Sequence, residues 1–103
     1  MKKQRKIRLF GFDWKLIETK DEKEEQGGSF TWKTKTIKIN DLYGENKMIL
    51  LHEVLEAIMV HNLVRFYGQE KAIEYQFYFN HTQFSKIVFD LAQTMMDNKD
   101  IFL

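Results

Sequence analysis

Residues 50–58 read LLHEVLEAI, and from Met48 onward Leu51, Val54, Leu55 and Ile58 recur at spacings of three and four. That period predicts a buried amphipathic helix running on to Leu63, with Gly68 as its stop. His52, Glu53 and Glu56 stand inside this apolar pattern, where charged groups are costly and therefore informative. Residues four apart on a helix differ by only about 40° in direction, so His52 and Glu56 share a face and could hold one ion together, while Glu53 points about 100° away.

On the amino-terminal side the pattern switches from helical to extended. Ile7 to Phe10 and Trp14 to Thr19 are rich in β-branched and aromatic residues, and Gly11-Phe12-Asp13 between them predicts a hairpin. Lys20 to Gly28 is charged, aperiodic and ends in two glycines, which reads as an exposed connection. Phe30 to Trp32 and Thr36 to Ile39 alternate as two strands or one bent strand, and Asn40-Asp41 closes the sheet. On the other side, Gln69 to Phe79 fits either a second helix or an irregular return. Asn80 followed by Gln83 forms a capping-box pattern, and Phe84, Ile87, Val88, Leu91 and Met95 mark one face of a last helix that stops near Asp97-Asn98. The expected fold is α+β: a short N-terminal antiparallel sheet, then the helix carrying the motif, then a C-terminal helix.

At 103 residues the chain fits one domain spanning 1–103, and 44% hydrophobic and 15% aromatic residues are enough for a core. Without cysteine there are neither disulfides nor thiolate metal sites, so any bound metal must use His and carboxylate ligands. The apolar runs fall far short of the ~20 residues of a membrane helix. Residues 1–6 read as a flexible basic tail with no secretory pattern after it, so a cytoplasmic protein is expected. The net charge of +1 combines that basic start with an acidic patch at Asp21, Glu22, Glu24 and Glu25, leaving no global field to attract nucleic acid.

In the His-Glu-x-x-His motif of zinc peptidases two histidines bind the metal and the intervening glutamate is the general base. Here Glu56 stands at the second ligand position, and a common catalytic set is two His and one Glu plus water. One more histidine is then needed. His61 lies nine positions after His52, roughly 180° around a continuous helix, so it faces away. His81, at the start of the last helix and three residues before Phe84, is the better candidate. Imidazole and carboxylate ligands suit zinc, and also iron, nickel or manganese.

LLHEVLEAI, followed by the Asn80-His81 step and FDLAQTMMDN at residues 89–98, resembles small phage and prophage proteins of the zincin type, distantly akin to ImmA/IrrE-like metallopeptidases. The resemblance extends over about residues 36 to 99, with LLHE and EAI as its most specific part. It implies a zincin-like fold, with an edge strand, here Thr36 to Ile39, that could pair with an extended peptide. It also implies a zinc-dependent peptidase with His52, Glu56 and His81 as metal ligands and Glu53 as general base toward a peptide or protein substrate. Tyr43, Tyr67, Tyr75 and Tyr78 are all open as oxyanion donors. Two other function classes stand beside this one. A catalytically inactive protein-binding module would need no metal. A nucleic-acid-binding protein would depend on Lys2 to Arg8 with Lys33, Lys35 and Lys38.

Overall fold

The computed structural model describes residues 3–20, 27–40, 46–67 and 74–103. Strand β1 (Lys3–Leu9) pairs antiparallel with β2 (Phe12–Thr19), Leu9 opposite Phe12 and Lys3 opposite Glu18. Lys3 to Lys6 are thus strand rather than tail. The turn is the two residues Phe10-Gly11, both at positive φ (55° and 78°), which a two-residue hairpin turn needs for its twist to match the strands. It therefore lies earlier than Gly11-Phe12-Asp13. A left-handed phenylalanine is costly, and its ring is held by stacking on His61 at 4.0 Å between centroids.

Strands β3 (Gly28–Thr31) and β4 (Thr36–Asn40) form a second antiparallel hairpin, and β4 also pairs with β2 in parallel, giving the order β1-β2-β4-β3. The sheet is mixed, not purely antiparallel, and Thr36 to Ile39 lie at its centre, not at its edge. Composition explains the swap. Ile37 and Ile39 of β4 are buried, whereas Gly28, Ser29 and Thr31 of β3 have little apolar surface to hide, so the apolar strand takes the inner position. Alternation sends Ile7, Leu9, Trp14, Leu16, Ile37 and Ile39 into one core and leaves Lys6, Arg8, Lys15 and Lys38 outside.

Helix α1 (Asn46–His61) packs on that core through Leu50, Val54, Ala57 and Ile58, a stripe at i, i+4, i+7 and i+8. Leu51, expected inside, is exposed, and Leu50 takes its place. The helix stops well before Gly68, which lies outside the described residues. Leu63 adopts φ 59°, Leu63 N–H donates to the Val60 carbonyl and Val64 N–H to the Met59 carbonyl, the paired bonds of a left-handed C-terminal cap. The reversal sends the chain back as β5 (Arg65–Tyr67), which pairs antiparallel with β6 (Tyr75–Phe77), so the undecided stretch is part of a small second ladder.

Helix α2 (His81–Asp97) begins with the capping box read from the sequence: the Asn80 side chain accepts from Gln83 N–H, and the Gln83 side chain accepts from Asn80 N–H, each at 2.9 Å. A short α3 (Lys99–Phe102) follows and buries Ile101. Asn98, at the junction, accepts from Arg8 N–H and donates to the Arg8 carbonyl, both at 2.8 Å, so a side-chain amide pins the free edge of β1 to the end of α2. Among the described residues no helix is long and apolar enough to cross a membrane.

Candidate metal centre

The stripe that packs α1 on the sheet includes Glu53, three residues after Leu50 and beside Val54, so this carboxylate is buried at 7% exposure while His52 and Glu56 emerge at the helix flank. Gly28 at the start of β3 makes that burial feasible. A Cβ there would stand 2.7 Å from Ile49 Cγ2 and 3.1 Å from Glu53 Cγ, so only glycine allows the edge strand to approach α1 so closely. Gly28→Ala is expected to cost about 1–3 kcal/mol through this overpacking. Urea unfolding of the variant beside wild type measures the loss.

His52 Nε2 lies 3.3 Å from Glu56 Oε2 and 3.8 Å from Glu53 Oε2. One donor atom from each of the three residues lies within 4.8 Å of the others, so the group could hold a metal ion. The spacing suits that use. Two ligands at ~2.1 Å from a tetrahedral zinc are ~3.4 Å apart, close to the His52–Glu56 separation. Arg65 of β5 donates to the other Glu56 oxygen, Oε1, at 3.5 Å, leaving Oε2 turned to His52. Its guanidinium lies over the Tyr75 ring at 3.9 Å and the Phe30 ring at 5.3 Å, which fixes its position.

Burial pushes the Glu53 carboxyl above its ordinary value of 4.5. The neighbouring Glu56 pushes the same way, while His52 and Arg65 pull it down. Gly28, Ser29 and Phe30 of β3, with Glu56, Arg65 and Tyr75, line a cleft of about 360 Å³ over His52 and Glu53. A second depression of about 430 Å³ adjoins it between Gly27, Gly28, Met48 and Ile49. The free strand edge beside the motif is thus β3, not Thr36 to Ile39.

His81 is not brought to this cluster. It is exposed in the first turn of α2, with its ring 6.3 Å from that of Phe84. Its helix turns Ile87, Asp90 and Thr94 inward, a different side from that of His81. His61 does face away from His52, as its spacing requires, and serves as a stacking partner for Phe10 and Trp32. Of the four tyrosines, Tyr75 lines the cleft and the Tyr78 hydroxyl donates to Gln76; Tyr43 and the side chain of Tyr67 lie outside the described residues. Arg65 is the residue that the sequence did not single out. Nothing local marks it, because it reaches Glu56 only through the reversal at Leu63.

Compared with known proteins, the chain matches no family model, no curated protein and no solved structure.

Proposed function

We propose that this protein is a zinc-dependent, peptidase-like hydrolase of phage or prophage type, acting in the cytoplasm. The observation that carries the reading is the 3.3 Å approach of His52 Nε2 to Glu56 Oε2 beside a buried Glu53, on a helix that faces a free strand edge. His52 and Glu56 would hold the ion, with iron, nickel or manganese as chemically admissible substitutes for zinc. When bound, zinc supplies Lewis acidity toward a water and a carbonyl. Glu53 takes the proton of the attacking water and returns it to the leaving amine. Its raised pKa suits both transfers, because a base poised closer to neutrality accepts and releases a proton readily. The outer edge of β3 would offer the backbone groups of alternate residues to an extended peptide, and Arg65 or Tyr75 lies within the cleft to face developing negative charge. Two protein ligands in place of three predict weaker metal retention than in a three-ligand site.

A second reading, a catalytically inactive module that binds peptide at β3, draws on Arg65. A fixed guanidinium already compensates Glu56 without a metal. Elemental analysis of protein purified without an affinity tag separates the two. About one equivalent of zinc, lost in both His52→Ala and Glu56→Ala, together with chelator-sensitive peptide hydrolysis, is expected. Wild type that takes up no zinc on add-back would exclude the hydrolase and leave the binding module.

A further inference from the structure

The four-stranded sheet packs its core residues against the helices on one side. Alternation sends Lys6 and Arg8 of β1, Lys15 of β2 and Lys38 of β4 to the other side, where all four are exposed. The register sets Lys6 directly opposite Lys15. Lys15 in turn faces Thr36, so Lys38, two residues along β4, lies roughly 8 Å from Lys15 by strand spacing and rise. Like charges directly opposite destabilise a pair of strands. The same hairpin balances its other cations: Arg8 faces Asp13 at 3.4 Å, and Arg5, on the inner side, binds Glu18 at 2.9 Å. Among the described residues Lys6, Lys15 and Lys38 form no ion pair. Of the described acids only Asp13 alternates onto this face; Asp21, Glu22, Glu24 and Glu25 lie outside the described residues.

The composition of this face specifies the partner. Three uncompensated lysines on one rigid surface call for an array of anions, and Gln4 and Thr31 beside them add uncharged donors of the kind that bind phosphate oxygens. The apolar residue that alternates onto the face, Ile17, is 9% exposed, so neither a protein interface nor a lipid surface finds an apolar anchor there. No aromatic side chain alternates onto it either, so single-stranded bases have no ring to stack on. A duplex carries a phosphate charge every ~1.7 Å of its axis, which brings several within reach of one face. The set is not the run Lys2 to Arg8: alternation turns Lys3 and Arg5 to the inner side, and Lys15 joins from β2. We propose that the outer face of the sheet, through Lys6, Lys15 and Lys38, binds the phosphate backbone of duplex DNA without regard to sequence. The face is opposite the helix that carries His52 and Glu56, so this binding stands or falls independently of the metal centre.

Fluorescence anisotropy of a labelled duplex of about 20 base pairs, titrated with the full untagged chain over a range of salt, tests this. Wild type is expected to bind with a dissociation constant of about 10⁻⁴–10⁻⁶ M at physiological salt. The logarithm of the binding constant should fall against that of salt with a slope of roughly −3, about 0.9 for each of the three lysines. A shuffled duplex should give the same values. Lys15→Gln should reduce the size of the slope by about 1 at unchanged circular dichroism. Lys47→Gln, which removes an exposed lysine of α1 on the helical side, should leave affinity and slope as they are. Three results overturn the proposal: no binding to duplex at low salt, a Lys15→Gln slope equal to that of wild type, or an equal loss in Lys47→Gln. Binding to vesicles of phosphatidylserine and phosphatidylcholine in place of the duplex would also overturn it, and would assign the face to an anionic leaflet.

Discussion

Under the proposed hydrolase function Glu53→Gln is expected to lower peptide hydrolysis by about 10²- to 10⁴-fold and, whatever the activity, to raise the melting temperature of metal-free protein at neutral pH. Both effects come from one carboxyl. Glutamine keeps the size but neither accepts nor returns a proton, so the proposed proton transfer would be lost while the fold stays. The stability gain follows from the raised pKa, whose main cause is burial. Below 4.5, the ordinary value, the carboxyl is largely protonated in both folded and unfolded chains and costs little. Between that value and the higher folded one, the folded protein holds a proton that the unfolded chain has released, so stability falls as pH rises through the window. Above it the full penalty of a buried carboxylate remains, and the neutral amide of Glu53→Gln is free of that penalty. Thermal melts from pH 4 to pH 8 should therefore show the two proteins diverging as pH rises and running parallel thereafter. A metal-free variant that melts lower than wild type at neutral pH would mean that the carboxylate is held by its neighbours as a structural ion, and the general-base role would lose its basis.

Trp14→Ala should carry the largest cost in stability, about 3–5 kcal/mol, a large fraction of the ~5–15 kcal/mol that holds a domain of this size. Trp14 is 1% exposed on β2, directly in the core beneath α1, with Phe10 and Trp32 edge-on to it at 6.5 and 5.4 Å. Removing it opens a cavity where the first hairpin, the strand turn and the Trp32–His61 stack all meet. Trp14→Phe should be far milder. Among the described residues its buried indole Nε1 has no hydrogen-bond partner, so phenylalanine sacrifices volume but no hydrogen bond seen there. Urea midpoints at unchanged slope measure both substitutions. Equal losses for Ala and Phe would mean that the indole makes a specific contact beyond packing.

Local pattern carried part of this far and then ran out. Helix α1, the first hairpin and the Asn80–Gln83 capping box are written in spacings of two to four residues, and the structure has all three. Leu51 was misplaced because LLHEVL offers two adjacent leucines, and a helical period alone does not say which of them faces a sheet. The stop at Leu63 was hidden because a leucine, not a glycine, takes the left-handed position. His81 shares an apolar arc with Phe84, which reads as inward, but on α2 that arc is the outer one.

The sequence by itself determined that His52 and Glu56 share one helix face, since helical pitch sets the directions of positions i and i+4 whatever surrounds them; that Glu53 also comes within 3.8 Å of His52 is a result of the structure. It also determined an α+β domain with no thiolate chemistry. Only the tertiary structure decided that β4 displaces β3 from the centre of the sheet, that Gly28 makes room for Glu53, that Arg65 and not His81 joins the cluster, and that α2 turns Ile87, Asp90 and Thr94 inward. Those outcomes depend on which of several buriable surfaces hides the most apolar area at once, a sum over the whole chain that no local spacing contains.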